Sequence, residues 1–375
     1  MGLERCTVAV VGATGAVGRE ALSILRERGV PPERVIALAS ERSAGAGVEY
    51  GASRLSVAVL DERSAERAFQ KADVAIFCAD AETARKFVPT AVERGALVVD
   101  NSSAFRMDPT VPLVIPEVNG ALLDRGAEVV ANPNCSTILL LVALEPLRAR
   151  FGVKSIVVST YQAVSGAGLA AIEELRTQAG EVLAGRGASP AVFREPCAFN
   201  VFSHDSAIDP ATGVNVEERK LIDETRKIWG DSRVAVTPTC VRVPVERAHS
   251  ESVVVELREP VREDEVRLAL ASAAGVSIVD DRTQNTFPTP LKASGIDDVL
   301  VGRIRPDPCA GYDGRGRCSR WCLWLSGDQV RKGAALNAVQ IAERLVEPTR
   351  LEQGGSRAAR NRASDSRFGS FVASK

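Results

Sequence analysis

Near its beginning the chain reads TVAVVGATGAVG, residues 7–18. Residues 7–11 are almost all apolar, which is typical of a strand buried on both faces of a parallel sheet. Glycines spaced G-x-x-G-x-x-G follow and lead into a helical pattern over residues 20–28. Strand, glycine turn and helix are the context of a dinucleotide-binding fingerprint, where the helix N-terminus favours a pyrophosphate. The same glycines would also allow tight packing of a helix on a strand, so the motif alone leaves both interpretations open.

Further alternation supports a sheet of the same kind. Apolar strands are predicted at residues 34–39, 74–78 and 97–100, with a helix over 81–94. Repeated alternation of strands and helices favours an α/β fold with a doubly wound parallel sheet. We therefore expect a Rossmann-like domain over residues 1–133.

The end of the strand over residues 34–39 bears on the cofactor. An NAD-preferring site carries an acidic side chain here to hold the ribose hydroxyls. In this chain Arg42 lies between Ser40 and Ser43, where a guanidinium could meet a 2′-phosphate. The pattern favours NADP, although Glu41 stands beside it and an exposed loop arginine is the alternative.

A second informative stretch is ANPNCST, residues 131–137, which runs into apolar residues up to Leu144. Pro133 interrupts the chain just before Cys135, and Ser136 with Thr137 are expected to cap the helix that follows. A cysteine at the start of a helix lies among unpaired amides and the positive end of the dipole, which favours the thiolate and could hold an oxyanion. Cys135 is therefore a candidate nucleophile, with an unreactive packed thiol as the alternative.

The character of the sequence changes after Cys135. Longer strands rich in β-branched residues are predicted at 155–161, 235–243 and 251–257, with helices over 170–183 and 216–229. This pattern indicates a second, α+β domain over residues 134–330, with a mostly antiparallel sheet of the kind that often carries a dimer interface. Because Cys135 lies at its start, we expect this domain to be the catalytic and dimerisation domain.

The last part of the chain contains one more predicted helix. A helical pattern over 331–347 is expected to complete the first domain. The polar, arginine-containing residues 348–375 are expected to be a disordered tail.

Composition excludes several classes of protein. A chain of 375 residues fits two domains, and a net charge of −1 gives no basis for binding nucleic acid or an anionic membrane. No apolar run approaches the roughly 20 residues of a membrane span, and the first residues do not resemble a signal peptide. Cysteines this sparse indicate a reducing cytoplasm rather than a disulfide framework. We expect no metal, because the cluster of Cys309, Cys318 and Cys322 matches no common zinc spacing.

Ten segments taken together resemble the aspartate-β-semialdehyde dehydrogenase family, in order from about residue 6 to residue 346. They read VGATGAVG at 11–18, DNSSAFRM at 100–107, VIPEVN at 114–119, NPNCST at 132–137, STYQAVSGAG at 159–168, EERK at 217–220, TCVRVPV at 239–245, AHSE at 248–251, VGRIR at 301–305 and RKGAALNAVQIA at 331–342. One such match is weak evidence, but ten in the same order are specific.

The resemblance implies a reaction. Members of this family use NADPH to reduce L-aspartyl-4-phosphate reversibly to L-aspartate-4-semialdehyde, through a cysteine thioester, in lysine, threonine and methionine biosynthesis. It also implies a homodimer or homotetramer. Three alternatives stay open: the related reductase of N-acetyl-γ-glutamyl phosphate, a paralogue of a specialised pathway acting on another acyl phosphate, and a non-catalytic dinucleotide-binding protein.

The resemblance also implies roles for catalytic and substrate-binding residues. Cys135 would be the nucleophile, His249 the acid/base and Gln162 the residue that orients the reacting carbonyl. The substrate-binding set would be Asn134, Arg242 for the α-carboxylate, Glu217 for the α-ammonium, and Lys220 with Arg106 for the phosphate.

The chemistry of these residues is compatible with the catalytic and binding roles and also with purely structural ones. An unperturbed histidine titrates near neutrality, and a planar arginine in an apolar strand can grip a carboxylate or form a structural ion pair. Glu217 and Lys220 are spaced to share one helix face, as surface pairs also do.

The cofactor-binding set that the resemblance implies holds NADP. It consists of Gly12, Thr14, Gly15, Ala16, Val17, Ser40, Arg42, Ser43, Ser165, Gly166 and Asn337.

Overall fold

In the computed structural model, which describes residues 2–43 and 45–347, the chain forms two units. The first unit contains the chain up to Pro133 and resumes at Ala334, and the second is Asn134–Gly333. The predicted disordered tail, residues 348–375, lies outside the described residues.

The first unit contains a seven-stranded sheet in the order β3-β4-β2-β1-β5-β6-β7. The strands are β1 (Val8–Val11), β2 (Val35–Ala39), β3 (Gly47–Tyr50), β4 (Ser53–Val59), β5 (Val74–Phe77), β6 (Leu97–Asp100) and β7 (Val129–Ala131). All neighbours are parallel except β3 and β4, which form an antiparallel hairpin at the edge. The predicted Rossmann-like parallel sheet is confirmed, and the edge hairpin is an addition that the sequence analysis missed.

Helices of the first unit follow its strands. They are α1 (Ala16–Glu27), α2 (Glu62–Lys71), α3 (Ala81–Glu93) and the short α4 (Pro116–Asn119). Helix α1 begins four residues before its predicted start, directly after the glycine turn. Gly18 allows this early start, because a Cβ there would lie 2.1 Å from the backbone oxygen of Gly12.

The second unit also contains a seven-stranded sheet, in the order β12-β13-β14-β11-β8-β10-β9. Its strands are β8 (Val153–Gln162), β9 (Phe202–Ser203), β10 (Ala235–Arg242), β11 (His249–Val261), β12 (Val276–Ile278), β13 (Val299–Pro306) and β14 (Cys318–Gly327). The pairs β8–β10 and β12–β13 are parallel, and the other neighbours are antiparallel. The predicted mostly antiparallel sheet is confirmed.

The helices of the second unit are α5 (Cys135–Phe151), α6 (Leu169–Leu183), α7 (Val216–Trp229), α8 (Glu263–Ala271) and α9 (Pro290–Ala293). Helix α5 is buried on every side from Ser136 to Leu144, which explains why its sequence has no polar face.

The cap of α5 differs from the prediction. Ser136 and Thr137 lie inside the first turn, and the helix is capped by Asn134, whose Oδ1 accepts from the backbone N–H groups of both. Asparagine caps as well as serine does, and its position directly before Cys135 makes the cysteine the first helical residue.

The chain then passes through a π-helical turn, Arg331–Leu336, into α10 (Asn337–Leu345). Ala338, Val339, Ile341 and Ala342 of α10 are fully buried in the core of the first unit. The predicted helix over 331–347 is therefore regular only in its second half.

Two features are absent from the described ranges, 2–43 and 45–347. Neither range contains a helix that is long and apolar enough to cross a membrane. Within the same ranges, no three or more histidine, cysteine or acidic side chains come together in a way that could hold a metal ion.

The glycine turn gives a prediction for stability. Replacing Gly18 by alanine should lower the free energy of unfolding by about 1–3 kcal/mol, since the new methyl group meets a backbone oxygen that cannot move away. The matched control is Gly180→Ala in α6, where a Cβ meets nothing within 4 Å; it should be neutral or stabilising by up to about 1 kcal/mol. Thermal and urea unfolding would measure both. Equal stability of the two variants would contradict the close approach of α1 to the turn.

Candidate active site

Cys135 and His249 form the centre of the candidate site in the second unit. Cys135 is the first residue of α5, and its Sγ lies 3.5 Å from Nε2 of His249 at the start of β11. Gly333 lies close to Cys135: a Cβ placed on Gly333 would be 3.0 Å from the Cβ of Cys135. The Cys135 thiol therefore lies between a helix N-terminus and the His249 imidazole. In this position the sulfur can attack a carbonyl group while the imidazole donates a hydrogen bond to the same group.

The backbone fixes the proton position on His249. Nδ1 accepts a hydrogen bond of 2.9 Å from the backbone N–H of Ala163, so the neutral ring carries its proton on Nε2, which faces Sγ. Complete burial, helped by the nearby charge of Arg242, lowers the pKa of His249 to about 3. His249 is thus neutral at physiological pH, unlike the unperturbed histidine on which the sequence argument relied.

Glu217, in the first turn of α7, connects several predicted residues. Its Oε1 accepts from Nδ2 of Asn134 at 2.8 Å and from Nε2 of Gln162 at 3.2 Å, and its Oε2 accepts from Nζ of Lys220 at 2.9 Å. Burial opposes ionisation, but the Lys220 charge and the hydrogen bonds to the carboxylate hold the pKa of Glu217 at about 2. The carboxylate is ionised and orients both amides.

Two further contacts complete this network. The Oε1 of Gln162 accepts from the hydroxyl of Thr160 at 3.1 Å, which fixes the amide orientation. The backbone N–H of Asn134 donates to Glu224 at 2.6 Å. Sequence analysis missed Glu224, although its spacing from Glu217 and Lys220 puts the three on one face of α7.

Arg242 ends β10 and is 4% exposed. Its Nη1 donates to the backbone oxygen of Ala163 at 3.0 Å, its Nη2 lies 3.0 Å from Nε2 of His204, and its Cζ is 5.1 Å from the ring centre of Phe193. Neither hydrogen-bond partner is a carboxylate, and the buried Nε has no partner in the described chain. Burial lowers the pKa of Arg242. A buried guanidinium in this state is suited to an anionic ligand rather than to a structural ion pair.

Ser165 and Gly166, predicted to bind the cofactor, belong to the turn Val164–Ala167 after β8. Gln329 donates to the Ser165 hydroxyl. A Cβ on Gly166 would lie 3.5 Å from Nη1 of Arg242 and from Cε1 of His249, so this turn lines the same cluster. The second unit therefore brings together Asn134, Cys135, Gln162, Gly166, Glu217, Lys220, Arg242 and His249, and adds His204 and Glu224, which the sequence analysis did not select.

The first unit contains the predicted dinucleotide-binding residues. Gly15 precedes α1 without a side-chain cap, so the first amides of the helix, Ala16 and Val17, are open to an anion. Gly12 adopts φ +81°, and a Cβ there would lie 2.4 Å from the backbone oxygen of Cys78, which only glycine avoids. This uncapped glycine turn fits a pyrophosphate.

Residues at the end of β2 extend this region. The hydroxyls of Thr14 and Ser43 are 3.0 Å apart, which joins the glycine turn to the segment after β2. Ser40 and Arg42 are exposed there. An exposed arginine at this edge is accessible to a 2′-phosphate.

Arg106 and Asn337 take part in a chain of amide contacts within the first unit. Nη2 of Arg106 donates to the backbone oxygen of Asn101 at 2.7 Å, and the Asn101 side chain accepts from Asn132 at 2.9 Å. Asn337 donates to Asn132 at 2.6 Å and to the backbone oxygen of Val114 at 3.0 Å. Asn337 therefore ties α10 to β7 and its neighbours, and its predicted role near the nicotinamide stays a prediction.

Comparison with known proteins supports a family. The family model described as "Semialdehyde dehydrogenase, NAD binding domain" matches residues 7–125, and the one described as "Semialdehyde dehydrogenase, dimerisation domain" matches residues 144–332. Aspartate-semialdehyde dehydrogenase of Synechocystis sp. is 46% identical over 342 residues, which cover 91% of this chain and 97% of that protein.

Solved structures agree. The crystal structure of aspartate semialdehyde dehydrogenase II complexed with ASA from Vibrio cholerae has a TM-score of 0.84 and 41% identity, covering 91% of this chain and 98% of that one. A structure of aspartate semialdehyde dehydrogenase with NADP from Candida albicans shares the fold, with a TM-score of 0.67 and 23% identity over 91% and 98% of the two chains. These findings confirm the resemblance read from the sequence motifs, and the chain belongs to the aspartate-semialdehyde dehydrogenase family.

Proposed function

We propose that the protein catalyses the NADPH-dependent reductive dephosphorylation of L-aspartyl-4-phosphate to L-aspartate-4-semialdehyde, and the reverse reaction with phosphate. The observation that carries this proposal is the contact of 3.5 Å between the Cys135 thiol and Nε2 of a neutral His249. A carbon–sulfur bond can form there next to a hydrogen-bond donor. We further propose that the reaction serves lysine, threonine and methionine biosynthesis in the cytoplasm.

The charges of the substrate match the charges around Cys135. Arg242 supplies a buried guanidinium with no carboxylate partner for the α-carboxylate. A carboxylate offers about four lone-pair sites, and Glu217 uses three of them within the chain, which leaves one for the α-ammonium. Lys220 gives the cation for the phosphate. Arg106 is assigned to the same phosphate by the family motif alone.

The forward reaction begins with a sulfur nucleophile. The Cys135 thiolate attacks the acyl carbon, the bond from that carbon to the phosphate oxygen breaks with its electron pair on phosphate, and a thioester forms. A hydride for the thioester carbon comes from the nicotinamide when NADPH is bound. The oxyanion that results re-forms the carbonyl and returns the bonding electrons to the Cys135 sulfur, which releases the aldehyde.

His249 and Gln162 act as hydrogen-bond donors in this scheme. Nε2–H of His249 can donate to the Cys135 sulfur or to the oxyanion, and one N–H of Gln162 is left after its bond to Glu217. His249 takes no second proton in the resting enzyme, because that proton would face the Ala163 N–H. We therefore assign His249 the function of a neutral donor.

NADP is the proposed cofactor, held by the first unit. The uncapped start of α1 would bind the pyrophosphate, and Arg42 with Ser40 and Ser43 would bind the 2′-phosphate. The second unit is the proposed substrate and dimerisation domain.

A homodimer, alone or paired into a tetramer, is the proposed assembly. Alternation along β8 puts Val157, Ser159 and Tyr161 on the sheet face opposite to its buried residues, and Val157 is 47% exposed in mid-strand. Tyr161 and Trp324 contact each other on this face, with ring centres 5.2 Å apart and ring planes tilted by 53°. An apolar, partly exposed sheet face supports association with a second copy.

The reverse reaction gives the most direct test. NADP⁺ reduction with L-aspartate-4-semialdehyde should depend on inorganic phosphate, because only phosphate releases the acyl group from Cys135 as the acyl phosphate. Absorbance of NADPH would be followed with and without phosphate, and in parallel with N-acetyl-L-glutamate 5-semialdehyde. Equal or better turnover of the acetylated aldehyde would overturn the assignment of Glu217 to a free ammonium group. No turnover with NADP still bound would support the non-catalytic alternative.

Removing the nucleophile should separate chemistry from cofactor binding. Cys135→Ala should lower kcat/KM by more than a hundredfold and leave NADP binding unchanged, because the covalent route is lost. Cys309→Ala is the matched control, since Cys309 is exposed and lies outside the cluster. Fluorescence titration with NADPH would check binding. Residual activity above one hundredth of the unsubstituted enzyme would argue against a thioester.

The protonation state of His249 can be observed directly, since the chain has 2 histidines. In ¹⁵N-histidine spectra, His249 should keep its proton on Nε2 and show no protonation midpoint near 6.5 as the pH is lowered from about 8 to about 5. The sign follows from burial, because a lowered pKa keeps the ring neutral above that pKa. A His249→Asn variant assigns the signals. A doubly protonated ring near pH 6.5 would rule out the neutral-donor function.

A further inference from the structure

His204 lies at the edge of the substrate cluster, although no motif pointed to it. It follows β9, and its backbone N–H donates to the oxygen of Cys240 at 2.8 Å, which extends the pairing of β9 with β10. This pairing places His204 beside Arg242, and Nε2 of His204 lies 3.0 Å from Nη2 of Arg242. The backbone position of His204 is therefore set by its pairing with β10.

The chemistry of the two groups fixes the direction of their hydrogen bond. A guanidinium donates and never accepts, so Nε2 of His204 must be the acceptor. Nδ1 lies 3.3 Å from the backbone N of Ser206, but a neutral ring cannot accept at both nitrogens. The shorter bond from a charged donor is the stronger one, which puts the proton of His204 on Nδ1. The two histidines of the chain therefore carry opposite tautomers.

We propose that His204 is a positioning residue for the substrate: its neutral imidazole holds the Arg242 guanidinium in the orientation that receives the α-carboxylate. The proposal rests on the function proposed above. Three groups contact the Arg242 guanidinium, namely the Ala163 backbone oxygen, His204 and the Phe193 ring. Of these three, His204 is the one that titrates. The buried Nε without a partner remains for the ligand.

Protonation of His204 would remove this support. A proton on Nε2 takes away the acceptor and puts a second cation 3.0 Å from the guanidinium. The other charged groups that act on His204 are Glu217 and Lys220 from α7 and Asp205 beside it. His249, from β11, is neutral. Burial is the largest cause that lowers the pKa of His204, so the neutral form dominates above the ordinary histidine range.

The first test compares three variants in the phosphate-dependent reverse reaction. His204→Leu removes the acceptor and should raise KM for the semialdehyde about tenfold or more, with kcat changed less than about threefold. KM for phosphate and for NADP⁺ should change less than about twofold. His204→Gln keeps an acceptor and should bring KM back to within about threefold. Ser203→Ala, an exposed change in the same strand, controls for disturbance of β9.

The second test uses pH. In the unsubstituted enzyme KM for the semialdehyde should rise as the pH falls below the ordinary histidine range, because His204 gains a proton there. Glutamine does not titrate, so KM of the unsubstituted enzyme divided by KM of His204→Gln should rise over the same pH range. Titration of the substrate affects both KM values equally and therefore cancels in this ratio. A constant ratio, a KM effect on phosphate instead, or a normal KM in a folded His204→Leu protein would overturn the proposal.

The third test needs no substrate. ¹⁵N-histidine spectra of the free enzyme should show the His204 proton on Nδ1, the opposite of His249. The reverse tautomer would overturn the proposal even if the enzyme is active. Absence of phosphate-dependent turnover in the unsubstituted enzyme would instead refute the proposed function, so the two failures are distinguishable.

Discussion

The ionised carboxylate of Glu217 is the interaction on which the candidate site depends. It is buried in the first turn of α7, yet it accepts from the cap residue of α5, from the amide at the end of β8, and from Lys220 on its own helix. A buried charge is stable only when it is paired and hydrogen-bonded. Three elements must therefore be in place for this carboxylate to stay ionised while it is buried, and its charge in turn holds them.

The backbone of a single residue, Ala163, gives the site its second fixed point. The N–H of Ala163 sets the tautomer of His249, and the C=O of the same residue holds Arg242. The distance between the proposed donor to the reacting oxygen and the proposed ligand of the α-carboxylate is thus determined by backbone geometry. Side-chain substitutions at residue 163 that preserve the backbone leave this relation intact, and a displacement of the end of β8 changes both groups together.

The sequence was sufficient where a property is local. The glycine turn, the apolar strands of the first unit and the apolar α5 are all local patterns, and they predict β1, β2, β5, β6 and the helices that follow the turn and Cys135. Runs of β-branched residues predict β8, β10 and β11 of the second sheet, whereas its short or interrupted strands β9, β12, β13 and β14 were not predicted. Family motifs selected Cys135, Gln162, Glu217, Arg242 and His249, which the structure brings into one cluster of contacts. The hairpin β3–β4 was missed because its alternation is short and polar.

Features that depend on tertiary contact could not be predicted. The lowered pKa of His249 results from burial and from the nearby charge of Arg242, and neither has a signature in the residues around AHSE. His204 reaches Arg242 only because β9, a strand of two residues, pairs with β10. Asn134 caps α5 in place of Ser136, a choice among good capping residues that propensity alone does not decide.

The capping choice has a chemical consequence. Asn134 Oδ1 accepts hydrogen bonds from the backbone N–H groups of Ser136 and Thr137, so these two N–H groups are not available to an oxyanion near Cys135. In the proposed reaction, His249 and Gln162 are the side-chain donors that the cluster provides for negative charge on the reacting oxygen. In that reaction, a donor that is neutral before and after the step gives up no proton to sulfur, so Cys135 can leave as the thiolate that the proposed attack requires. The low pKa of His249 and the capping of α5 by Asn134 are therefore parts of one arrangement, in which a side chain caps the helix and the proposed catalytic hydrogen bonds come from residues at strand ends of the sheet.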